Sequence, residues 1–443
     1  MNDSPVAVVV MAAGLGTRMR SEVPKHLHPV LGRPLVDWVL DAARALDPAR
    51  LVVVVSSGAT ETWDGAELAV QAEPRGTGDA VASARATLDG FTGDILVLDG
   101  AAPLLTHDLL HGLVEEHHRD RADVTVLTVE PEEDLPYGRV IRDESGAVRA
   151  IVEAGDATPE QLHIRELNSS IYVFAADALW HALERIEPHN VQGELYLTDA
   201  VEQIVGGEGK AAAYRSPDPV APLGVNTRAD LAAAAAELRR RINETHMLAG
   251  VTVVDPETTW IDASVEIEPD SVIEPFTALR GRTRVSSGAH IGSHSVVVDA
   301  SVGARATVGP FCYVRPGTVL EDEAKAGTFV EIKNSRIGAR AKVPHLSYVG
   351  DADVGEDSNV AAGNITANFP HATGQPKTRT TIGRNVRTGV DNAFVAPVTI
   401  GDDAWIAAGS VITDDVPAGS LAGFPPKQVT KEGWVYERGS GDH

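Results

Sequence analysis

The chain is short of cysteine and of positive charge. Its 443 residues include a single cysteine, Cys312, which excludes an internal disulfide. Lysine and arginine together number 38 against 63 aspartates and glutamates, and the net charge is −25. Proteins that bind nucleic acids or anionic membranes generally need clustered basic residues. The composition therefore excludes general binding of nucleic acids or anionic membranes, and any phosphate-binding site must be formed by a few basic residues in one place.

Long apolar runs are missing as well. No stretch approaches the roughly 20 apolar residues that a membrane-spanning helix needs. The short apolar run within residues 1–14 has no basic region before it and does not fit a secretory signal. We therefore expect a soluble, cytoplasmic protein. A domain with a single hydrophobic core rarely exceeds roughly 250 to 300 residues, so a chain of this length is expected to form at least two domains.

The first half of the sequence alternates short apolar runs with helical stretches. The apolar runs cover residues 6–11, 51–55, 95–98 and 124–129, and one helical stretch covers residues 35–46. This alternation is typical of βαβ units on a mainly parallel sheet. We expect an α/β, Rossmann-like domain over residues 1–228.

Residues 229–249 are rich in alanine and other strong helix formers and carry a basic patch. These propensities predict a helix over the whole segment. We interpret it as a linker between the first domain and a second one whose sequence pattern is entirely different.

Beyond residue 250, apolar residues recur every six positions in three series offset by one-residue slips, and a last set follows from residue 382. The series consist of Ile261, Ile267, Ile273, Leu279, Val285 and Ile291; Val302, Val308, Val314, Leu320, Ala326 and Ile332; Ile337, Val343 and Val349; and Ile382, Thr388, Phe394, Ile400, Ile406 and Ile412. A six-residue period fits neither an amphipathic helix nor ordinary strand alternation, and it is typical of hexapeptide repeats. We expect a left-handed parallel β-helix over residues 250–432, with a protruding loop at 367–379 and a polar tail at 433–443.

A glycine-rich turn follows the first apolar run, in the sequence MAAGLGTR at residues 11–18. Such a turn between a strand and a helix lets backbone N–H groups approach phosphates, and the helix N-terminus adds positive potential. Arg18 and Lys25 would supply charge to a triphosphate and its leaving pyrophosphate. The turn alone could be an ordinary tight turn, but together with Lys25 and LGRPLVDWVL at residues 31–40 it indicates a nucleotide site.

Polar side chains interrupt the six-residue series in the second half. They are Arg315, Lys333, His345, Tyr348, Asn359 and Asn368. In a solenoid, residues at equivalent positions of neighbouring coils lie side by side. Histidine can act as a general base because it titrates near neutrality, and neighbouring cations can bind an anionic group. Isolated charges equally fit a solvated face, and with fifteen histidines no single one stands out by composition.

With these motifs the chain resembles the bifunctional N-acetylglucosamine-1-phosphate uridylyltransferase/glucosamine-1-phosphate acetyltransferase family. The likeness runs from VVVMAAGLGTRM at residues 8–19 to KEGW at residues 431–434. It implies acetyl transfer from acetyl-CoA to glucosamine-1-phosphate, followed by Mg²⁺-dependent uridylyl transfer from UTP to N-acetylglucosamine-1-phosphate. The product, UDP-N-acetylglucosamine, is a cell-wall precursor. The resemblance also implies a cytoplasmic homotrimer whose acetyl site lies between subunits.

For the first domain, the resemblance implies that Arg18 and Lys25 act on the phosphates. The residues implied to bind the nucleotide and the sugar nucleotide are Met11, Ala12, Ala13, Gly14, Gln71, Gly76, Thr77, Gly138, Glu153, Asn168 and Asn226. Asn226 is also implied to bind the metal.

For the second domain, the resemblance implies that His345, within KVPHLSYVGDADVG at residues 342–355, is the catalytic base. The residues implied to bind the amino-sugar phosphate are Arg315, Lys333, Tyr348, Asn359 and Lys377. The residues implied to bind acetyl-CoA are Ala362, Asn368, Phe369 and Ala408.

The sequence departs from the family pattern at the metal site. The family carries Gly-Asp-x-Pro-Leu, whereas residues 100–104 read GAAPL, so Ala101 occupies the ligand position. A methyl group cannot bind a hard cation, whose ligands are oxygen atoms. Asp99 projects from the same strand face, displaced by roughly 6 to 7 Å. It is an alternative ligand if the loop shifts.

Other departures are scattered along the chain. Pro74 replaces a usual Gln, Gly155 a usual Lys, Val390 a usual Ser and Pro425 a usual Arg, and Phe369 stands where the family has Tyr. Loss of a basic residue near the CoA phosphates would weaken CoA binding or indicate another acyl donor.

These observations leave four interpretations. The leading one is the bifunctional enzyme. The second is an acetyltransferase for a related amino-sugar phosphate with an impaired first domain, which Ala101 favours. The third is a nucleotidylyltransferase for another hexose-1-phosphate with a structural β-helix, and the fourth is a non-catalytic sugar-nucleotide-binding protein. His345, with Lys333 and Arg315, speaks against the third and the fourth.

Overall fold

The computed structural model describes residues 4–14, 16–369, 376–423, 428–434 and 436. The chain forms two compact units, Met1–Leu238 and Arg239–His443. The boundary between them falls inside the helix Arg228–Leu248. The domain limits inferred from the sequence stay predictions. In the described ranges, none of the helices combines the length and apolarity needed to cross a membrane.

The first unit consists of a central sheet with helices around it. Its strands are β1 Val6–Ala12, β2 Pro29–Val30, β3 Arg33–Pro34, β4 Arg50–Ser56, β5 Glu67–Gln71, β6 Asp94–Asp99, β7 Val124–Val129, β8 Arg139–Arg142, β9 Val148–Val152, β10 Leu167–Ala175 and β11 Ala211–Arg215. Its helices are α1 Leu35–Arg44, α2 Thr77–Ser83, α3 His107–Asp120, α4 Pro159–Leu162, α5 Ala176–Leu183, α6 Leu197–Gly206 and α7 Arg228–Leu248, with short 3-10 helices at Thr17–Met19 and Lys25–Leu27.

The central sheet has the strand order β11-β7-β10-β6-β1-β4-β5. Strand β10 is antiparallel to both of its neighbours, whereas β1, β4, β5 and β6 run parallel to one another. Strand β1 is buried on both faces: Ala7 and Val9 pack into one hydrophobic core, and Val8 and Val10 pack into another. Near-continuous apolar runs are expected for strands covered on both sides. The predicted mainly parallel, Rossmann-like sheet is confirmed.

The parallel strands place the glycine-rich turn beside the end of β6. Met11 pairs with Asp99 in register, and the Gly100 amide donates to the Met11 carbonyl at 2.9 Å. In open α/β sheets, ligands bind at the carboxyl ends of the strands. Segments from β1 and β6 therefore meet where a ligand is expected.

One sequence expectation about this turn is wrong. The glycine-rich turn does not lead directly into a long helix but into the single 3-10 turn Thr17–Met19, and the first α-helix starts at Leu35. Arg20 has φ +49° and ends the turn, and Pro24 follows shortly afterwards. A phosphate at this turn would therefore be bound by backbone amides and side-chain cations, without the dipole of a long helix.

The second unit is a coil of short parallel strands on three faces. The first face holds Thr252–Val253, Val272–Ile273, His290–Ile291, Thr307–Val308, Lys325–Thr328 and Lys342–His345, and beyond them Arg387–Thr388, Trp405–Ile406 and Leu421–Ala422. The second face holds Trp260–Ile261, Ala278–Arg280, Val296–Val298, Tyr313–Val314, Glu331–Lys333, Tyr348–Gly350, Ile365–Ala367, Ala393–Val395 and Val411–Ile412. The third face holds Glu266–Ile267, Arg284–Val285, Ser301–Val302, Val319–Leu320, Arg336–Ile337, Ala352–Val354, Thr380–Ile382 and Val398–Ile400.

The six-residue series predicted from the sequence forms the core of this coil. All its members are buried except Ile267, which is partly buried against the same core. Val285 pairs with Val302, and Val302 pairs with Leu320. The coil that begins at Val285 is therefore one residue shorter than the next one, which accounts for the one-residue slip in the series. Cys312 belongs to this core, and its thiol donates to the Val330 carbonyl at 3.1 Å. The predicted left-handed parallel β-helix is confirmed.

A row of large side chains lines one corner of the coil. Phe276, His294, Phe311 and Phe329 stack with ring centroids 4.7, 4.8 and 5.2 Å apart, and we call them the aromatic ladder. Each has a positive φ, an uncommon conformation that the corner of every coil imposes. The three phenylalanines are about half exposed, and exposed Leu346 has the same backbone conformation at the next corner.

Candidate active sites

In the first unit, one ammonium group lies between two oxygen atoms at the carboxyl end of the sheet. Lys25 Nζ is 3.3 Å from Asp99 Oδ2 and 3.3 Å from Asn226 Oδ1. Asp99 ends β6, Lys25 begins a 3-10 helix, and Asn226 precedes α7. Asp230, in the first turn of α7, accepts from the Asn226 backbone amide at 2.9 Å and so fixes its position.

The Asp99 carboxylate is held by its surroundings. Its Oδ1 accepts from the Ala101 backbone amide at 3.0 Å. Its Oδ2 packs closely against Gly224, where an added Cβ would lie only 2.6 Å from this oxygen. Ala101 itself is fully buried, and its carbonyl accepts from the Val225 amide at 2.8 Å. Position 101 therefore contributes backbone only, while Asp99 turns its carboxylate towards Lys25 and Gly224.

Tyr137 extends this group of residues. Its hydroxyl donates to the Gly224 carbonyl at 3.2 Å. Burial, helped by the carboxylates of Asp99 and Asp230, raises the pKa of Tyr137 to about 12. The phenol is therefore neutral at physiological pH. The adjacent Arg139 is buried and donates to the carbonyls of Leu135 and Tyr137.

The glycine-rich turn packs against Lys25. Gly16 has φ +60°, and a Cβ there would lie 2.7 Å from the Lys25 Cβ. Ala12 and Ala13 are buried, whereas a Cβ on Gly14 would meet nothing within 4 Å. Arg18 is exposed. The structure thus brings the turn, Lys25, Asp99 and Asn226 together, as the sequence predicts for a nucleotide site.

The predicted Gln71 segment makes mainly internal contacts. Gln71 Nε2 donates to the Gly76 carbonyl at 3.1 Å and to Asp79 Oδ2 at 2.9 Å. Thr77 Oγ1 accepts from the Leu197 amide at 2.9 Å. Gly76 has φ +116° and packs on the Leu195 backbone, which leaves no room for a side chain. The side-chain carbonyl oxygen of Gln71 and nearby backbone groups are therefore the atoms that remain to contact a nucleotide base.

Gly138, Glu153 and Asn168 lie together: Gly138 directly precedes β8, Glu153 directly follows β9, and Asn168 lies on β10. The Asn168 amide donates to the Gly138 carbonyl at 2.8 Å, and a Cβ on Gly138 would lie 3.4 Å from Glu153 Oε2. The buried Asn168 side chain donates to Tyr172 Oη at 2.8 Å and accepts from the Ser170 amide at 3.0 Å. Asn168 therefore positions the strands, whereas the Glu153 side chain contacts Thr198.

Glu153 belongs to an acidic group that we call the carboxylate cluster: Glu153, Asp156 and Asp199. Burial, with repulsion from the other two members, raises the pKa of Glu153. Burial also raises the pKa of Asp199 to about 6, with contributions from Glu202 and Asp156 and a small opposing effect of His189. In the described ranges, no lysine or arginine forms an ion pair with a member of the cluster.

In the second unit, the predicted phosphate-binding cations converge on the second face. Arg315 Nη1 donates to Glu331 Oε1 at 2.7 Å, and Lys333 Nζ lies 3.5 Å from Asp351 Oδ2. Lys377 lies close to Lys333, and the interaction between the two side chains lowers the pKa of Lys377. Three cations against two partner carboxylates leave an excess of positive charge, which suits a phosphate group.

Tyr348 and His345 flank the next corner. Tyr348 pairs with Glu331 in register, and its ring covers Gly350. His345 ends the strand Lys342–His345 on the first face and is exposed. Leu346 forms the corner between them. The strand pairing also places Asn359 beside Lys342 on the first face.

The residues predicted to bind acetyl-CoA separate into two places. The Asp391 amide donates to the Ala362 carbonyl, and the Gly409 amide donates to the Val390 carbonyl. Ala362, Val390 and Ala408 therefore lie on consecutive coils. Asn368 instead donates to Asp351 and belongs with the sugar-phosphate cations.

Phe369 is exposed, with Lys377 Nζ 5.8 Å from its ring centroid. Pro425, most of the tail at 433–443 and part of the loop at 367–379 lie outside the described residues.

The raised pKa of Asp199 has a consequence for stability. Its folded-state value of about 6 exceeds the ordinary 3.8, so the ionised carboxylate destabilises the folded unit increasingly from about pH 4, and fully above about pH 6. Asp199→Asn should stabilise the unit at pH 7.5 by about 1 kcal/mol, since partial exposure reduces the roughly 3 kcal/mol of the full shift. The gain should vanish at pH 4. Hydrogen exchange of peptides from β10 and α6, compared with wild type at each pH, measures it; an equal gain at both pH values would contradict it.

Comparisons with known proteins agree with both halves of this architecture. Residues 8–187 match the MobA-like NTP transferase domain, and residues 379–414 match the hexapeptide repeat of succinyl-transferase. The bifunctional protein GlmU of Mycolicibacterium gilvum is 45% identical over 99% of this chain and 93% of its own length. The GlmU protein of Streptomyces avermitilis is 46% identical over 99% of this chain and 95% of its own length. The GlmU protein of Corynebacterium efficiens is 44% identical over 99% of this chain and 96% of its own length. The chain therefore belongs to the bifunctional GlmU family of transferases, which combines a nucleotidyltransferase domain with hexapeptide acetyltransferase repeats.

Proposed function

We propose that this chain acetylates glucosamine-1-phosphate with acetyl-CoA and then couples the product to UTP, which yields UDP-N-acetylglucosamine and pyrophosphate. Family membership over nearly the whole chain supports both activities. The observation that carries the uridylyl step is the placement of Asp99 and Asn226 on either side of Lys25.

We propose that Asp99 and Asn226 hold the Mg²⁺ of the uridylyl step. They offer a carboxylate and an amide oxygen to one cationic position, and oxygen atoms are the ligands that Mg²⁺ takes in proteins. Bound there, Mg²⁺ supplies compensation for charge on the phosphates of UTP. Ala101 adds no ligand, so Asp99 takes the role that the family pattern gives to residue 101.

The protein groups around this position orient the reactants. The glycine-rich turn offers backbone amides to phosphate, and Lys25 and Arg18 add charge that stabilises the leaving pyrophosphate. The sugar phosphate attacks through an oxygen that is already anionic. Positioning and charge stabilisation then supply most of the catalysis, and no general base is required.

For acetyl transfer, we propose that Arg315, Lys333 and Lys377 bind the phosphate of the amino sugar. His345 accepts a proton from the sugar amine as the nitrogen attacks the thioester carbonyl of acetyl-CoA. The new C–N bond replaces the C–S bond, and the CoA thiolate leaves and is protonated. General-base assistance of this kind typically contributes 10² to 10⁴-fold.

The first prediction of this mechanism concerns Asp99. Asp99→Asn should lower uridylyl transfer at least about 100-fold, because the proposed site would lose its carboxylate ligand. Adding Ala101→Asp in the same chain should restore activity, since it installs a carboxylate at the family position. Pyrophosphate release measures both, and acetyl transfer by the same variants is the control.

The Mg²⁺ dependence of the rate distinguishes a metal-ligand role of Asp99 from a role in which Asp99 only positions Lys25. If Asp99 is a ligand, Asp99→Asn should raise the Mg²⁺ concentration needed for half-maximal rate. Activity that survives Asp99→Asn would contradict the assignment. The alternative is an acetyltransferase with an impaired first domain, which the buried Ala101 methyl favours. It would be supported if the wild-type chain showed no uridylyl transfer and Ala101→Asp alone produced this activity.

The second prediction concerns His345. His345→Ala should lower acetyl transfer by 10² to 10⁴-fold while uridylyl transfer is unchanged, because the two sites lie in separate units. Release of CoA thiol measures the first activity. His290→Ala is a matched control, since this histidine lies on the same face and pairs with Glu274. An acetyl-transfer rate within about tenfold of wild type would show that another base operates.

We also propose that the chain forms a homotrimer in which the acetyl site is shared between subunits. The half-exposed aromatic ladder ends at Phe329, one corner before exposed Leu346, which lies between His345 and Tyr348. A continuous exposed apolar patch of this kind marks an interaction surface. The cytoplasmic location stays a prediction.

Mixing two inactive variants tests the shared site. His345→Ala and Lys333→Ala subunits, unfolded and refolded together, should regain acetyl transfer if each site takes one residue from each of two chains. Light scattering at micromolar concentration should give the trimer mass. A monomer, or a mixture as inactive as its components, would contradict the shared site.

A further inference from the structure

We propose that His107 and His111, on the outer surface of helix α3, form a binding site for a transition-metal ion such as Zn²⁺. Neither of the proposed transfer reactions uses these two side chains. The site differs in its chemistry from the proposed Mg²⁺ position at Asp99 and Asn226, because it offers nitrogen atoms rather than oxygen atoms as ligands.

The two histidines lie one turn apart on the same side of α3. They are four positions apart in a helix of 14 residues, His107–Asp120, and residues with this spacing are neighbours on the helix surface. In the helices that the structure describes, no other two histidines have this spacing. Two histidines spaced in this way on one helix bind a single zinc ion in a well-known class of zinc sites.

The separation of the two rings fits one shared metal ion. Zn–N bonds are about 2.0 to 2.1 Å long, so a bound zinc ion would lie roughly 3.2 Å from the centroid of each ring. With tetrahedral geometry, the two centroids would then be about 5.2 Å apart. The observed centroids of His107 and His111 are 5.5 Å apart, so the rings can bind one ion without movement of the helix backbone.

Carboxylates hold one nitrogen of each ring and leave the other nitrogen for a metal. His107 Nδ1 donates to Asp108 Oδ1 at 2.9 Å, and His111 Nδ1 lies 3.5 Å from Glu115 Oε2. An ionised carboxylate only accepts hydrogen bonds, so the proton of each neutral ring is on Nδ1 and the lone pair is on Nε2. Histidines that bind metals generally have such a carboxylate, carbonyl or water partner at the other ring nitrogen.

The position of the pair on the helix keeps both rings accessible. The inner side of α3 is anchored in the hydrophobic core by buried Leu109, Leu110 and Leu113. The side chains of His107 and His111 are 45% and 52% exposed. A cation near the start of a helix is opposed by the helix dipole, and the carboxylates of Asp108 and Glu115 offset this effect.

The donor atoms select the kind of metal. Imidazole nitrogen suits Zn²⁺, Cu²⁺ and Ni²⁺, whereas Mg²⁺ takes oxygen ligands. Among the residues that the structure describes, no group of three or more histidine, cysteine, aspartate or glutamate side chains is arranged to hold a metal. The ion is therefore held by two imidazoles, and water completes its coordination. An ion held in this way joins the first two turns of α3 and opposes fraying of the helix start.

Hydrogen exchange of the peptide that covers α3, measured with and without Zn²⁺ on the full chain, tests the site. With Zn²⁺ at about ten times its dissociation constant, exchange should slow by about tenfold, because only the folded helix binds the ion. Mg²⁺ at the same concentration should have no effect. His107→Ala and His111→Ala should each abolish the slowing, and Asp108→Ala should weaken Zn²⁺ binding about 10 to 100-fold.

His163→Ala is a matched control. This histidine is also exposed, but its Nδ1 contacts the Pro159 carbonyl and no second histidine lies one turn away. The variant should show the same slowing by Zn²⁺ as the wild-type chain. Because each variant is compared with itself in the presence and absence of Zn²⁺, a change in the intrinsic stability of the helix does not mimic loss of the metal.

A second measurement identifies the ligands directly. Electron paramagnetic resonance of Cu²⁺ on the same chain should show two nitrogen ligands, and His107→Ala or His111→Ala should remove that signal. No slowing of exchange in the wild-type chain would overturn the proposal. Slowing that persists in both histidine variants would also overturn it, because the ion would then bind elsewhere. Neither measurement depends on uridylyl or acetyl transfer, so failure of the proposed function would leave this result unaffected.

Discussion

The contact of Lys25 with Asp99 and Asn226 is the interaction on which the chemistry of the first unit depends. Three segments far apart in the chain meet at one ammonium group, and each is fixed by its own element: Asp99 by β6, Asn226 by the start of α7, and Lys25 by the glycine-rich turn that packs on it. Because both oxygen atoms contact the same ammonium group, the carboxylate and the amide oxygen are directed at one cationic position.

Much of the fold could be predicted from the sequence because the underlying signals are local. A residue such as Ile332 is buried because it recurs at a fixed interval from Val314, and that interval is visible without knowledge of tertiary structure. The buried strand β1 is visible for the same reason. The helix expected after the glycine-rich turn was wrong, because the competing turn at Arg20 depends on a backbone conformation that sequence pattern does not show.

The sites were harder to predict, since they depend on contacts between distant segments. The partners of Lys25 lie 74 and 201 positions away. The alternation of side chains along a strand also does not indicate that the Asp99 carboxylate will turn back onto the Ala101 amide. Asn168 shows the opposite case. Its residue type suggests contact with a sugar, yet its side-chain nitrogen already donates to Tyr172 and its side-chain oxygen accepts from Ser170. Side-chain chemistry identifies candidates, and the hydrogen bonds decide which of them remain available.

Cys312 is buried in the core of the β-helix, and burial raises the pKa of its thiol to about 12. Thiolate is the form that attacks disulfides and is oxidised by peroxide. The chain therefore presents no reactive sulfhydryl at neutral pH, although every acetyl group transferred releases a molecule of CoA with a free thiol. Mixed-disulfide formation between the enzyme and its own by-product is thereby blocked, so catalysis in the second unit is insulated from the redox state of the surrounding thiol pool.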